Sequence, residues 1–469
     1  RRFLFTCYES ESTTLFSELL DKINDRYAEA YLQPLAGSWQ QALDGEKGKK
    51  LLETHRMSSF FRKYVEPYLR KDRSVFLIIS DGFRYELGIE LAARLRQLNR
   101  FTVETAALAA PVPTYTQLGM ACLLPHDTLI IGEDGNTVTV DGMNTTGVEN
   151  RQKVIQSWLD LNYNGKKVKA LRADTFMDMP RTEQNDFVRG IDIVVLYSSG
   201  VDATGDDPKK ELRLPRAADD EIRNLENICS HIGNTLNRTH CIVTADHGFL
   251  FRYREVPETE MSRIEKSDGE IRRDHRFIFA ENRLEHPSAD ILEEQDVEWT
   301  APFKVQCARG LTRIRRPGGG TRYVHGGRMP QEMCVPLLMI RKTRFDDVEK
   351  VDVAVLDRQN QITTGQVNVT FFQENPMEEK RPPREIDAVF EGDDGTAISN
   401  TARLIFDSKE RNEQNRSRNV SFIFTRASDG YNGKYISLKL YDIKSGGVRT
   451  FYREYSYFFQ KRLQMDVDF

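Results

Sequence analysis

Three times along this chain a short apolar run leads into an aspartate: "VFLIISD" reaches Asp81, "IVVLYSSGVD" reaches Asp202 and "CIVTAD" reaches Asp246. A continuous apolar run bounded by turn residues is the pattern of a strand covered on both faces. After the first run, Leu87, Leu91 and Leu95 mark one face of a helix, and a helical stretch at about 216–236 separates the second run from the third. A further buried strand is expected in "MCVPLLMI" at 333–340. Alternating β and α elements predict an α/β fold, a mostly parallel sheet with helices on both faces.

The rest of the chain is organised around that unit. With 469 residues it exceeds one typical core, so two or more domains are expected. Leu15, Leu19, Ile23, Tyr27 and Tyr31 recur at helical spacing and predict a helical N-terminal segment over 1–70. A core domain over 71–345 follows, with a hairpin at 127–142 around the turn former "EDGN" and a polar, arginine-rich insertion or cap at about 251–324. Over 346–469 short β-rich runs such as "QVNVTFF", "NVSFIFT" and "YISLKLYD" alternate with polar turns, which predicts an antiparallel β-sandwich.

Composition narrows the class. Charged residues make up 29% and hydrophobic ones 39%, the balance of a soluble globular chain, and no apolar stretch nears the ~18 residues of a membrane span. The net charge of -4 offers no global attraction for nucleic acid, so such binding would need a local patch. Cys7, Cys122, Cys229, Cys241, Cys307 and Cys334 are scattered without a CxxC pair. Free thiols in a reducing, cytoplasmic setting are therefore expected. Because the chain opens on Arg1 and not on methionine, it is expected to be a fragment.

In an open parallel sheet the crevice beyond the carboxyl ends of the strands binds ligands, so Asp81, Asp202 and Asp246 could converge there. Taken singly, an aspartate after a strand is a common turn former or helix cap. The company these keep argues for more. Asp206 lies four residues after Asp202, on the same side of a helical turn. His247 adjoins Asp246, and His325 sits in "YVHGG", where glycines let a backbone approach closely. Four carboxylates and two imidazoles suit two divalent cations, and without cations the acids would repel one another. A hydroxyl nucleophile is offered by Thr114 or Thr116 in "PVPTYTQLGMACLLP", ahead of a helix whose N-terminus favours phosphate; alone, Thr116 also reads as a simple N-cap.

"SDG", "PTYTQLGMACLLP", "TTGVENR", "VDATGD", "TADHG" and "HGG" together resemble the PglZ domain, a member of the alkaline phosphatase superfamily found in bacterial BREX systems, which exclude bacteriophage. The resemblance covers about 71–345. It implies one metal held by Asp81, Thr116, Asp246 and His247, with Thr116 as nucleophile, and a second held by Asp202, Asp206 and His325. Zinc is the first expectation. Manganese or magnesium are the alternatives, because Asp206 stands where many superfamily members carry histidine and makes the second site richer in oxygen. Ser198 and Ser199 also depart from the family, where a His-Asn pair often follows the tyrosine; groups behind the ligands tune such sites.

The expected activity is metal-dependent hydrolysis of a phosphoester, a phosphodiesterase or nuclease working with other BREX proteins. A phosphotransferase or mutase would fit the same constellation. The alternative is a non-catalytic hub that binds defence proteins through the β-sandwich. Arg315, Arg316, Arg322 and Arg328, with Arg309 and Arg313, surround His325 in sequence. They read equally as a site for substrate phosphate or nucleic-acid backbone and as a solvated hairpin.

Overall fold

The computed structural model describes residues 13–461 except 267, 283–284, 294–296, 319, 346–347, 357–359 and 445–446. Internal packing divides the chain into two compact units, one holding the residues through Leu95 and Phe101–Thr343, the other Arg96–Arg100 and Arg344–Phe469.

The first unit is built on six strands: β1 (Val75–Ser80), β2 (Phe101–Ala109), β3 (Val168–Arg172), β4 (Ile193–Ser198), β5 (His240–Ala245) and β6 (Cys334–Lys342). Their spatial order is β2-β6-β5-β1-β4-β3. β5, β1, β4 and β3 run parallel, whereas β6 is antiparallel to both β5 and β2. The continuous apolar runs are the central strands, and every residue of β1 and β4 is buried. Helix α1 (Tyr85–Gln97) buries Leu87, Leu91 and Leu95, as its spacing requires. Each such side chain contributes about 1.5–3 kcal/mol by leaving water.

Ahead of the sheet the described N-terminal residues are helical over Thr13–Asp25, Arg26–Leu32, Gln33–Asp44 and Glu46–Thr54. The hairpin forms between Leu129–Ile131 and Val138–Val140; Asp134 Oδ1 accepts the backbone N–H of Asn136 and Thr137, and Gly135 takes φ +66° at the turn. The polar stretch expected at 251–324 contains its own four-stranded antiparallel sheet, in the order Glu270–Arg273, Phe277–Ala280, Lys304–Ala308, Ala289–Leu292. Ile264, Ile278, Ala280, Ala289, Ala308 and Ile314 form a small core beneath it.

The second unit has a three-stranded and a five-stranded sheet. Val369, Phe371 and Phe422 of the first share one buried cluster with Ile386, Phe390, Leu438 and Tyr457 of the second, the inner layer of a β-sandwich. The pairing is antiparallel apart from Gln361–Ile362, which runs parallel to Arg449–Phe459.

Cys122, Cys229, Cys241, Cys307 and Cys334 are free thiols, while Cys7 lies outside the described residues. Among the described residues no helix is long and apolar enough to cross a membrane.

Candidate metal centre

At the carboxyl end of the parallel strands the chain turns sharply. β5 ends at Ala245, so Asp246 and His247 leave the alternation that would point neighbouring side chains to opposite faces. Both then look toward Asp81: His247 Nε2 lies 3.5 Å from Asp81 Oδ1 and 3.5 Å from Asp246 Oδ2. Gly248 permits the exit because a Cβ there would stand 2.1 Å from the carbonyl oxygen of Gln331. Gly82, at φ +66°, turns the chain after Asp81 and donates its N–H to Asp246 Oδ1 at 3.1 Å.

Thr116 begins the seven-residue helix α2 (Thr116–Cys122), but its hydroxyl does not cap it. The N-cap position belongs to Tyr115, and the Thr116 hydroxyl instead lies 3.1 Å from His247 Nε2 and 3.5 Å from Asp81 Oδ1. Helix α2 can approach this closely because residue 119 is glycine; a Cβ would meet the Asp246 carbonyl oxygen at 2.4 Å. Tyr115 is fixed against the small sheet, with its ring 5.4 Å from Phe277 and 5.9 Å from Phe279.

A second cluster shares His247. The rings of His247 and His325 stack at 4.2 Å, only 7° from parallel. His325 Nε2 stands 3.8 Å from Asp202 Oδ1 and 3.8 Å from Asp206 Oδ1. One helical turn, closed by the Asp206 N–H on the Asp202 carbonyl, sets those two acids side by side. Within this set Asp202, His247 and His325 gather as one potential ligand group and Asp81, Asp246 and His247 as another. Asp206 sits at the rim, with 62% of its side chain exposed.

Neighbouring backbone fixes the imidazoles. His247 Nδ1 contacts the Gly248 carbonyl at 2.9 Å, and His325 Nδ1 the Thr114 carbonyl at 3.0 Å. A carbonyl only accepts, so each Nδ1 carries a proton and each Nε2 faces the acids. Thr114 braces the same loop with its hydroxyl, which accepts from the Gly326 N–H and donates to the Gly327 carbonyl.

The electrostatics match a place prepared for cations. Burial, reinforced by Asp246 and Asp202, raises the Asp81 pKa well above the carboxylate range. Burial also raises Asp202 against the pull of His325 and His247. Burial acts the same way on Asp206, but His325 prevails and holds it below its ordinary value. Burial pulls His325 down, yet Asp206 and Asp202 outweigh it and lift the imidazolium to about 10. Asp246 is fully buried, and its Oδ2 has no hydrogen-bond partner. A buried carboxylate oxygen without a donor, facing His247 Nε2 and grouped with the Asp81 carboxylate, fits a divalent cation.

Two supports escaped the sequence reading. Tyr323 donates its hydroxyl to Asp202 Oδ1 at 2.7 Å, and burial and then Asp202 push its phenol well above the ordinary value. A signal existed, since Tyr323 precedes His325 by two residues in a β run and shares its side. Glu332, fully buried, receives Arg276 through both oxygens at 2.9 and 2.8 Å and accepts the N–H groups of Gly327 and Met329, which pins the loop behind His325.

The arginines between 309 and 328 are occupied by acids. Arg313 pairs with Glu260, Arg315 with Glu258, Arg316 with Asp274, Arg322 with Glu211 and Glu255, and Arg309 and Arg328 with Asp290. Of these, Arg316 also lowers the Asp206 pKa.

The profile described as the BREX system PglZ alkaline phosphatase-like domain matches residues 60–340. The chain is 29% identical over 443 residues to the alkaline phosphatase-like protein BrxZ of Escherichia coli O9:H4 (strain HS), across 91% of this chain and 50% of that protein. It is 27% identical over 443 residues to the alkaline phosphatase-like protein PglZ of Bacillus cereus (strain H3081.97), across 93% of this chain and 51% of that protein. The chain thus spans about half the length of these curated relatives. Among solved structures, murine ectonucleotide pyrophosphatase/phosphodiesterase 5 superposes with a TM-score of 0.41 at 12% identity, over 58% of this chain and 89% of that one. Phosphonoacetate hydrolase from Sinorhizobium meliloti 1021 gives 0.37 at 12% identity, over 57% and 89%. With more than half of its 469 residues inside the matched domain, the chain belongs to the PglZ family.

Proposed function

We propose that this protein is a metal-dependent phosphoester hydrolase acting in a bacterial BREX defence system, in the cytoplasm beside other BREX proteins. The observation that carries the reading is the Thr116 hydroxyl, 3.1 Å from His247 Nε2 in a cluster of acids whose ion-pair partners, among the described residues, are His247 and His325. In this reading Asp81, Thr116, Asp246 and His247 hold one divalent cation and Asp202, Asp206 and His325 a second. Zinc comes first, since each group includes an imidazole nitrogen, with manganese or magnesium as alternatives. Such cations would neutralise the acids and withdraw charge from a bound phosphoryl group.

The residues of the chain supply position and proton placement. Thr116 Oγ1 is the nucleophile, and its hydroxyl has two acceptors in reach, His247 Nε2 at 3.1 Å and Asp81 Oδ1 at 3.5 Å. His247, its Nδ1 proton committed to Gly248, keeps Nε2 on the threonine oxygen. Tyr323 holds Asp202 in one orientation. For Arg315, Arg316, Arg322 and Arg328 a substrate role would require exchange of their acid partners for phosphate, and Arg316, facing Asp206, is the best placed. A nucleic-acid substrate would then bind with a steep salt dependence.

The test is turnover of a chromogenic phosphodiester with zinc, manganese or magnesium, beside Asp246→Ala. Hydrolysis that disappears in the variant supports the reading; no hydrolysis with any of the three metals rejects it. That negative result would favour the hub, which has one observation behind it: strands of the sandwich expose Ile423, Tyr435 and Phe451 at 60–68%.

A further inference from the structure

β5 has two working ends. Its carboxyl end leads into Asp246, and its first residue, His240, lines a separate cavity of about 510 Å³. Six residues at ~3.3 Å each place the two roughly 20 Å apart, so the cavity is no part of the acid cluster. Lys63, Lys71, Arg73 and Arg341 surround it, with Glu104 the one acid in its lining.

These cations differ from the paired arginines between 309 and 328. None of the four is ion-paired among the described residues, and all four are exposed. Lys63 Nζ instead lies over the ring of Tyr64, 5.3 Å from its centre. Arg73 and Arg341 both depress the His240 pKa, behind the larger effect of burial, so their charges converge on the cavity. Gathering four like charges about one hollow costs self-repulsion that an anion would relieve. The walls add aromatic surface: the Tyr68 and His240 rings stand 4.9 Å apart, and Tyr64 lines the same space. Cationic heads beside flat rings suit a ligand with phosphates at one end and a planar base at the other. The volume falls within the ~300–1,000 Å³ usual for small organic ligands.

We propose that this cavity binds a nucleoside phosphate, its phosphate groups on Arg73, Arg341, Lys63 and Lys71 and its base against the tyrosine rings. The site is independent of hydrolysis at the acid cluster.

ADP binding to the whole chain is measured by equilibrium dialysis with EDTA present, so that no divalent cation can recruit the nucleotide to the acids. Saturable binding is expected, weakened at least about thirtyfold by Arg73→Glu with Arg341→Glu and about tenfold by Tyr68→Ala. Lys63→Ala with Lys71→Ala, at exposed positions, gives an independent loss if the first pair disturbs folding, which circular dichroism and melting temperature report. Asp246→Ala should leave the affinity unchanged. The proposal is overturned if the unaltered protein shows no saturable ADP binding, if neither cation pair alters it, or if Asp246→Ala abolishes it. Binding of a twelve-residue oligothymidylate without binding of ADP would also overturn it, in favour of a nucleic-acid surface.

Discussion

Two aspartates, one in each unit, meet opposite surroundings. In the sandwich Asp387, 1% exposed, is gripped by Arg403 at 2.9 and 3.1 Å and by Arg449 at 2.6 Å. Their hydrogen bonds, Arg403's first, outweigh burial and hold its carboxyl below the usual range. In the α/β unit Asp81 gathers with Asp246 and Asp202, has histidines for neighbours, and is raised well above that range. Guanidinium groups keep their charge at any physiological pH, so the first arrangement is permanent. Imidazoles can give up a proton, so the second can exchange it for a metal.

The largest effect that could break this contrast is catalytic. Thr116→Ala should reduce phosphodiester turnover by on the order of 10²–10³ or more, while elemental analysis finds metal content nearly unchanged. Metal lost together with activity would mean that the hydroxyl is chiefly a ligand. Next in size, Arg403→Ala combined with Arg449→Ala strands Asp387. Because those arginines are 57% and 47% exposed, the cost should fall below that of a fully buried pair and show as a lowered urea midpoint of the sandwich. A smaller change is expected from Tyr323→Phe, which frees Asp202 and should weaken metal affinity about tenfold in a competition titration without altering the melting of metal-free protein by more than a few degrees.

The pH dependence should separate the two units by sign. In metal-free protein the His325 pKa rises from 6.5 to about 10, so its contribution is complete below 6.5 and is lost as pH climbs through 10. Asp387 behaves in the opposite way: its contribution is complete above the ordinary value of 3.8 and vanishes as pH falls through its depressed pKa. Stability curves should therefore show an alkaline slope that zinc removes and an acid slope that Asp387→Asn removes. An alkaline slope that persists with zinc bound would show that the imidazole keeps its proton there.

Much of this arrangement is legible in the sequence, because apolar runs such as Val75–Ile79 leave no exposed face and so dictate central strands. The acids at their ends follow from strand polarity. The reverse direction of β6 is not legible: its residues read as buried in either orientation, and direction comes from connections elsewhere. β3 is not legible either, because "VKALR" mixes charge with apolar residues, as an edge strand does. The pairing of Arg315 with Glu258 or Arg322 with Glu211 spans tens of residues, beyond any local spacing rule. The partner of Arg276, Glu332, was hidden for the same reason.

The glycine at 119 has a mechanical consequence. With no side chain between them, the backbone of α2 rests on the carbonyl of Asp246, leaving no compliant layer to absorb a shift. Whatever displaces the loop after β5 must carry Thr116 along with it. The Thr116 hydroxyl and the acid and imidazole groups beside it thus keep their mutual alignment even when the surrounding shell moves.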